Sequence, residues 1–291
     1  MLLINRVNTN QNNKQGMINL PEIPEIETVC NHLRHSVLNA SITALSINRP
    51  KSLNTTPDTF ISLVSKQSII AVGRRAKIIL LTLSNQHTIT IHFMLDGYAQ
   101  LLKSDHPDLL HASAAFGLST GRTLALFKMN LGYIHLFPTT DWQAIDDVNK
   151  LGPEPLSEHF TASHFLASLR ARKGMIKPLL MDQKLIAGIG NVYSNEALFC
   201  SRILPTRKVK ELSDEELSHI YHCLRSILSQ AIHHGGVYDS KYSQNDALTG
   251  GYIPHLKVAY RTGKPCYECG APIQMQRVGG RNAFYCPNCQ Q

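Results

Sequence analysis

Four cysteines near the C-terminus carry the clearest chemistry in the chain. Cys266 and Cys269 form one CxxC unit, in CYEC, and Cys286 and Cys289 form another, in CPNC. Two such knuckles can bring four thiolates into a tetrahedron, the geometry of a structural Zn²⁺ site with roughly 2.3 Å per Zn–S bond. Two disulfides or a redox pair would use the same residues, but two knuckles closing one hairpin favour the metal. With all four positions filled by sulfur, one zinc would hold a short segment together. Between the knuckles, QRVGGRN sets Arg277 and Arg281 on a loop suited to phosphate. A zinc ribbon alone serves DNA, RNA and protein binding alike. Near the other end, PEIPEIET opens with Pro21 and Glu22. Taken alone these two simply begin a helix, where Pro and acids are favoured.

The elements that must position these groups fall into distinct stretches. Residues 1–20 are polar and contain no acid, and are expected to be disordered or absent from the native product. From Pro24 to about Leu38 the pattern is helical, with Thr28, Val29, Leu33 and Val37 on one face. From about 42 to 140, segments such as ITALSIN, IILLTL and HTITIHFML alternate or run apolar between Gly, Asn and Ser. They predict a sandwich or barrel of short strands. LGPEPL at 151–156 marks a boundary, and beyond it the period becomes helical. The longest helix is predicted over 214–233. Ser213 and Glu216 form a capping box before a stripe of Leu217, Ile220, Leu224, Ile227, Leu228 and Ala231, and Gly235 ends it.

Composition narrows the class. The chain has 291 residues, 43% of them hydrophobic, enough for one large domain or two ordinary ones. Lys plus Arg exceeds Asp plus Glu by 29 to 21, and the +8 surplus suits a polyanionic partner. The longest apolar runs are far shorter than the roughly 18 residues a membrane span needs, and no signal peptide opens the chain. Seven cysteines, four of them clustered, suit a reducing compartment, so a cytoplasmic monomer is expected. Cys30, Cys200 and Cys223 are expected to be buried thiols.

Taken in order, PEIPEIET, LGPEPL, IKPLLMD, GIGNVYSNEAL and the cysteine knuckles resemble the formamidopyrimidine-DNA glycosylase/endonuclease VIII family. The resemblance runs from Pro21 to Gln290, and the N-terminal extension marks a divergent member. It implies an α+β fold. An N-terminal β-sandwich domain with flanking helices (21–150) would precede a helix–two-turn–helix domain (151–256) and a four-cysteine zinc finger (257–291). It implies a base-excision-repair DNA glycosylase with AP lyase activity, bound to double-stranded DNA with damaged or abasic sites. Pro21 would be the nucleophile, Glu22 the acid assisting ring opening and proton transfer, and Lys77 a phosphate ligand beside the lesion. Asn191 and Arg281 would hold DNA phosphates. Lys177 and Glu25 match further active-site positions, and His92 and Leu95 lie on the strand end that enters the duplex. Each has a plainer alternative: Lys77 as an edge lysine, Asn191 as a helix cap, Arg281 as a solvated loop residue.

An N-terminal proline suits this chemistry. An α-amino group with a pKa near 8 is roughly one-tenth unprotonated at pH 7, against about 0.04% of a lysine. Attack on C1′ expels the base, and the resulting Schiff base serves as electron sink for β- and δ-elimination. The base must first leave the stack. Three departures stand against the pattern. Twenty residues precede Pro21, and Met17 would still leave Ile18, Asn19 and Leu20 over it. Leu20 stands where the family has its initiator Met, so a TTG or CTG start there would expose Pro21. The family's HxGMSG is HFMLDG here, with Leu95 for Met, and its DPRRFG loop is KMNLGY, with Asn130 and Gly132 for the Arg and Phe that fill the gap. The segment GVYDSKYSQNDALTGGY at 236–252 keeps only its glycines. A non-catalytic binder of abasic DNA is the alternative function, and an RNA-binding zinc ribbon is a third.

Overall fold

A computed structural model describes residues 20–291. The expectations for the extension, Leu20 apart, lie outside the described residues. Helix α1 (Ile23–Ser36) leads into β1 (Ile42–Ile47), α2 (Pro57–Val64), β2 (Ile69–Arg75), β3 (Ile78–Leu83), β4 (His87–His92) and β5 (Tyr98–Lys103). Then come β6 (Ala114–Leu118), β7 (Arg122–Phe127), β8 (Tyr133–Pro138) and the short α3 (Asp146–Asn149). The strands form two antiparallel four-stranded sheets, ordered β1-β6-β7-β5 and β2-β3-β4-β8. Ile79, Leu81, Ile89, Ile91 and Ile134 from one sheet meet Phe116, Leu124 and Leu126 from the other, and α1 adds Ile26, Val29 and Leu33. The unbroken IILLTL run has its reason here. Alternate residues of β3 face this core, while Ile78 and Leu80 face Val148 of α3 on the far side.

The stretch expected to be wholly β contains a helix. Pro57 starts α2, and the Thr56 hydroxyl accepts the Thr59 N–H at 3.2 Å. A Thr cap followed by Pro is a helix start, and Phe60 and Val64 then reach the sandwich core.

The second half is helical: α4 (Ala162–Arg170), α5 (Ile176–Leu180), α6 (Asn191–Cys200) and α7 (Asp214–His233). Helix α7 keeps its expected cap, with Ser213 and Glu216 exchanging hydrogen bonds. Its stripe packs on Tyr193 and Leu198 of α6. One sequence expectation fails here. Cys200 and Cys223 are bonded to each other rather than free, joining the end of α6 to α7. They lie 23 residues apart, and only helix packing brings them together. Cys30 remains a buried thiol. The hairpin β9 (Gln274–Val278) and β10 (Arg281–Tyr285) closes the chain. Among the described residues no helix is long and apolar enough to cross a membrane.

The linker is gripped by the β2–β3 turn. Glu154 accepts hydrogen bonds from Arg74 at 2.7 Å, Arg75 at 3.2 Å and the Ala76 N–H at 2.6 Å. Arg75 also donates to the Leu151 and Gly152 carbonyls. Glu154→Ala strands part of this network, so a loss of about 1–3 kcal/mol is expected. Chemical denaturation checks it, and an unchanged midpoint would show the linker to be held by other contacts.

Candidate active site at the domain junction

Glu22 ends the extended entry to α1, and its side chain crosses to the other domain. Its carboxylate accepts the Gly190 N–H at 2.5 Å and the Val192 N–H at 2.8 Å, at the N-terminus of α6. Unpaired amides and the helix dipole make that end an anion site. Gly190 is required for so close an approach, because a Cβ there would stand 2.5 Å from Glu22 Cδ. Glu22 itself is 1% exposed. Burial pushes its carboxyl up to about 7, with Glu25 adding to the rise and Lys77 and the two amides opposing it. A carboxyl that gains and loses its proton near neutrality is suited to general acid–base work.

Glu25, one turn further along α1, organises the floor. It accepts the Glu22 N–H at 2.8 Å, the Val237 N–H at 2.8 Å and the Tyr193 hydroxyl. Gly236, with φ of 66°, passes so close that a Cβ would overlap Glu25 Oε1. Tyr193 stays protonated, since burial and the neighbouring Glu25 raise its pKa. Pro21, which precedes Glu22 in the chain, is buried as well.

Basic groups converge from three elements. Lys77 sits at the tight β2–β3 turn, after Ala76 with φ of 51°. Burial lowers its pKa against the pull of Glu22 and Glu25, and Arg281 lowers it further. Arg281 is exposed at the start of β10, and the turn before it packs at Gly279 against Pro178. Asn191 is half-buried at the first position of α6, with Gly190 rather than Asn191 as the cap. Lys177, expected as a DNA contact, points inward here. It is 0% exposed and lies behind Asn191.

His92 closes β4 half-buried, stacked on Tyr133 at 5.5 Å. Leu95 is likewise half-buried in the turn that follows. The exposed apolar tips are instead Met94 at 39% and Leu131 at 61%, on neighbouring loops. Tyr238 donates to the Gly97 carbonyl, and Leu101 N–H donates to the Tyr242 carbonyl at 2.8 Å. The 236–252 segment is thereby strapped onto the sandwich. Sequence reasoning missed this strap, Tyr193 and Glu154, because each works through partners far away in the chain.

The cysteine cluster passes the test of its chemistry. The four sulfurs of Cys266, Cys269, Cys286 and Cys289 lie within 4.8 Å of one another. Two of the separations are 3.9 and 3.4 Å, close to the roughly 3.8 Å edge of a ZnS₄ tetrahedron. They hold one structural zinc. Asn195 of α6 accepts the Phe284 N–H at 3.1 Å, which docks the hairpin on the helix that carries Asn191.

The chain matches the formamidopyrimidine-DNA glycosylase N-terminal domain over residues 20–129 and the formamidopyrimidine-DNA glycosylase H2TH domain over 151–242. Residues 263–291 match the zinc finger found in FPG and IleRS. The formamidopyrimidine-DNA glycosylase of Pelotomaculum thermopropionicum is 35% identical, covering 94% of this chain and 99% of that protein. That of Chloroflexus aggregans is 37% identical, covering 93% and 98%.

The chain belongs to the formamidopyrimidine-DNA glycosylase family.

Among solved structures, the MutM (Fpg) protein of Thermus thermophilus aligns with a TM-score of 0.81 at 34% identity, covering 93% of this chain and 98% of that one. Lactococcus lactis Fpg, in complex with DNA containing an abasic site, aligns at 0.86 with 28% identity, covering 93% and 99%. The matched segments include Pro21, Glu22, Glu25, Lys77, Lys177, Asn191 and Arg281.

The raised Glu22 carboxyl has a consequence for folding. Between the ordinary value of 4.5 and about 7, the unfolded chain has released this proton while the folded chain keeps it. Its contribution is full below pH 4.5 and is lost as pH rises toward 7. Glu22→Gln should therefore gain stability relative to the parent across that window. Melting curves at several pH values test this, and a pH-independent difference would refute the buried, proton-holding Glu22.

Proposed function

We propose that this chain excises oxidised bases from double-stranded DNA and then cleaves the abasic strand, with the nitrogen of Pro21 as nucleophile once residues 1–20 are gone. What chiefly supports this is the seating of Pro21 beside a carboxyl that titrates near neutrality on a helix N-terminus. Full-length kinship to proteins named formamidopyrimidine-DNA glycosylase makes it a base-excision-repair glycosylase. The non-catalytic alternative is not favoured, since Glu22, Glu25 and Lys77 are all in place.

The steps then follow from the groups present. The secondary amine attacks C1′ of the extruded nucleotide, and the departing base and opening sugar need protons that Glu22 can supply. Lys77, Asn191 and Arg281 face the strand phosphates, and His92 supports the strand end that approaches the duplex. Zinc supplies no chemistry and keeps Arg281 in place. We take 21–150, 151–256 and 257–291 as the working units. Met94 and Leu131 are the exposed candidates for the gap left by the base, with Leu95 behind them. We infer a monomer acting on its DNA in the cytoplasm; the zinc thiolates support a reducing compartment, and the bonded Cys200–Cys223 pair speaks against one.

The test compares a chain made to begin at Pro21 with the full-length chain on a duplex carrying an oxidised guanine. Borohydride should trap a covalent protein–DNA adduct only with the Pro21-initiated chain. In that chain Glu22→Gln should bind the duplex yet lose excision by about 10²–10⁴-fold. Equal trapping by the full-length chain would remove Pro21 from the mechanism.

A further inference from the structure

Lys177 carries a buried amine, and among the described residues no carboxylate pairs with it. It is 0% exposed, and its Nζ donates to Asn191 Oδ1 at 2.9 Å and to Ser194 Oγ at 3.0 Å, with Met181 Sδ at 3.6 Å. The Ser194 hydroxyl spends its own proton on the Asn191 carbonyl at 3.2 Å, so it must accept from the lysine. An amine that serves two acceptors can only donate to Asn191, which fixes the carboxamide oxygen inward. The Asn191 Nδ2 donor then points away from Lys177, on a half-buried residue at the start of α6.

We propose that Lys177 is the positioning residue of the Asn191 phosphate contact, and that seating a DNA phosphate there draws a proton onto its buried amine. This rests on the reading that DNA lies at the domain junction. A neutral amine keeps both donated bonds, so the proton can leave without disturbing Asn191. Two charged groups act on it. Glu22, from the start of α1, favours the charged form, and Arg281, from the zinc hairpin, opposes it. Burial, acting in the same direction as Arg281, outweighs Glu22 and holds the amine down at about 7 in the free protein. A phosphate beside Asn191 would oppose that shift and raise it again.

Affinity for a duplex carrying a tetrahydrofuran abasic analogue should therefore fall as pH rises. One proton taken up by a group near 7 weakens binding roughly twenty-fold between pH 6.5 and 8.5. Lys177→Met should lose this share of the pH dependence. Lys177→Gln, which can still donate to Asn191 Oδ1, should lose the pH share but recover affinity relative to Lys177→Met. In an Asn191→Ala background, Lys177→Met should cost nothing further at pH 8.5. Neither Lys177→Met nor Lys177→Gln buries a new charge, so both should fold, and melting temperatures check that. A full pH dependence surviving in Lys177→Met, or additive losses with Asn191→Ala, would overturn the proposal. A parent chain that fails to bind the duplex at any pH would instead sink the DNA-junction reading, and this proposal with it.

Discussion

The contact between the Glu22 carboxylate and the first amides of α6 is what the rest of the site depends on. The two groups belong to different domains, and each is fixed by its own core. Helix α1 is seated on the sandwich by Ile26, Val29 and Leu33, and α6 is seated among the helices by Tyr193 and Leu198. A buried carboxylate is stable only with its lone pairs occupied, and here backbone N–H groups occupy them. That requires Gly190, whose missing Cβ leaves room for the carboxylate, and a helix start free of any other capping side chain. The cost of burial shows in the raised carboxyl, so the interaction that joins the domains also creates a proton carrier beside Pro21.

Around this acid pair the structure collects cations that are only partly balanced. Lys77 and Lys177 are both held below the ordinary lysine range, first by burial, with Arg281 adding repulsion. Arg281 itself is exposed. Such a cluster gains most from an anion that touches all of its members at once, which a phosphodiester chain does. The neighbouring arginines behave differently. Arg74 and Arg75 are committed to Glu154 and Glu27, and they hold the turn beneath Lys77 instead of facing a ligand. The basic surplus of the chain thus divides into structural and ligand-seeking parts.

Local patterns are legible in the sequence, and remote partnerships are not. The capping box and stripe of α7 lie wholly within one segment, and the two CxxC units state their own geometry. Helix α2 is hidden because eight residues between strands carry too little periodicity, although Thr56-Pro57 announces it. The Cys200–Cys223 bond and the inward turn of Lys177 depend on how helices pack, and no spacing rule reaches that far. Lys177 enters the sequence reading only through the family resemblance, because nothing in its neighbours tells which way its side chain turns. Here the first turn of α6 covers it completely.

The loops facing the gap show how a lost motif can be a rebuilt one. At Gly132 a Cβ would stand 2.6 Å from the His92 carbonyl and 2.9 Å from Met129 Cε, so no side chain can occupy the position where relatives of this fold are expected to carry Phe. Met129 is fully buried between the two loops and welds them into one unit. Arg49 donates to the Asn130 carbonyl at 2.8 Å, so its guanidinium anchors the loop backbone. Met94 takes a φ of 52° in the adjoining turn, and it and Leu131 are left as the exposed tips. Neither tip offers a hydrogen bond. Such tips differ from an arginine in offering apolar contact and no donor, and the donor nearest them is the carboxamide of exposed Asn130 on the same loop. Across from them, the 236–252 segment is strapped by Tyr238 and Tyr242 to the same sandwich that carries both loops.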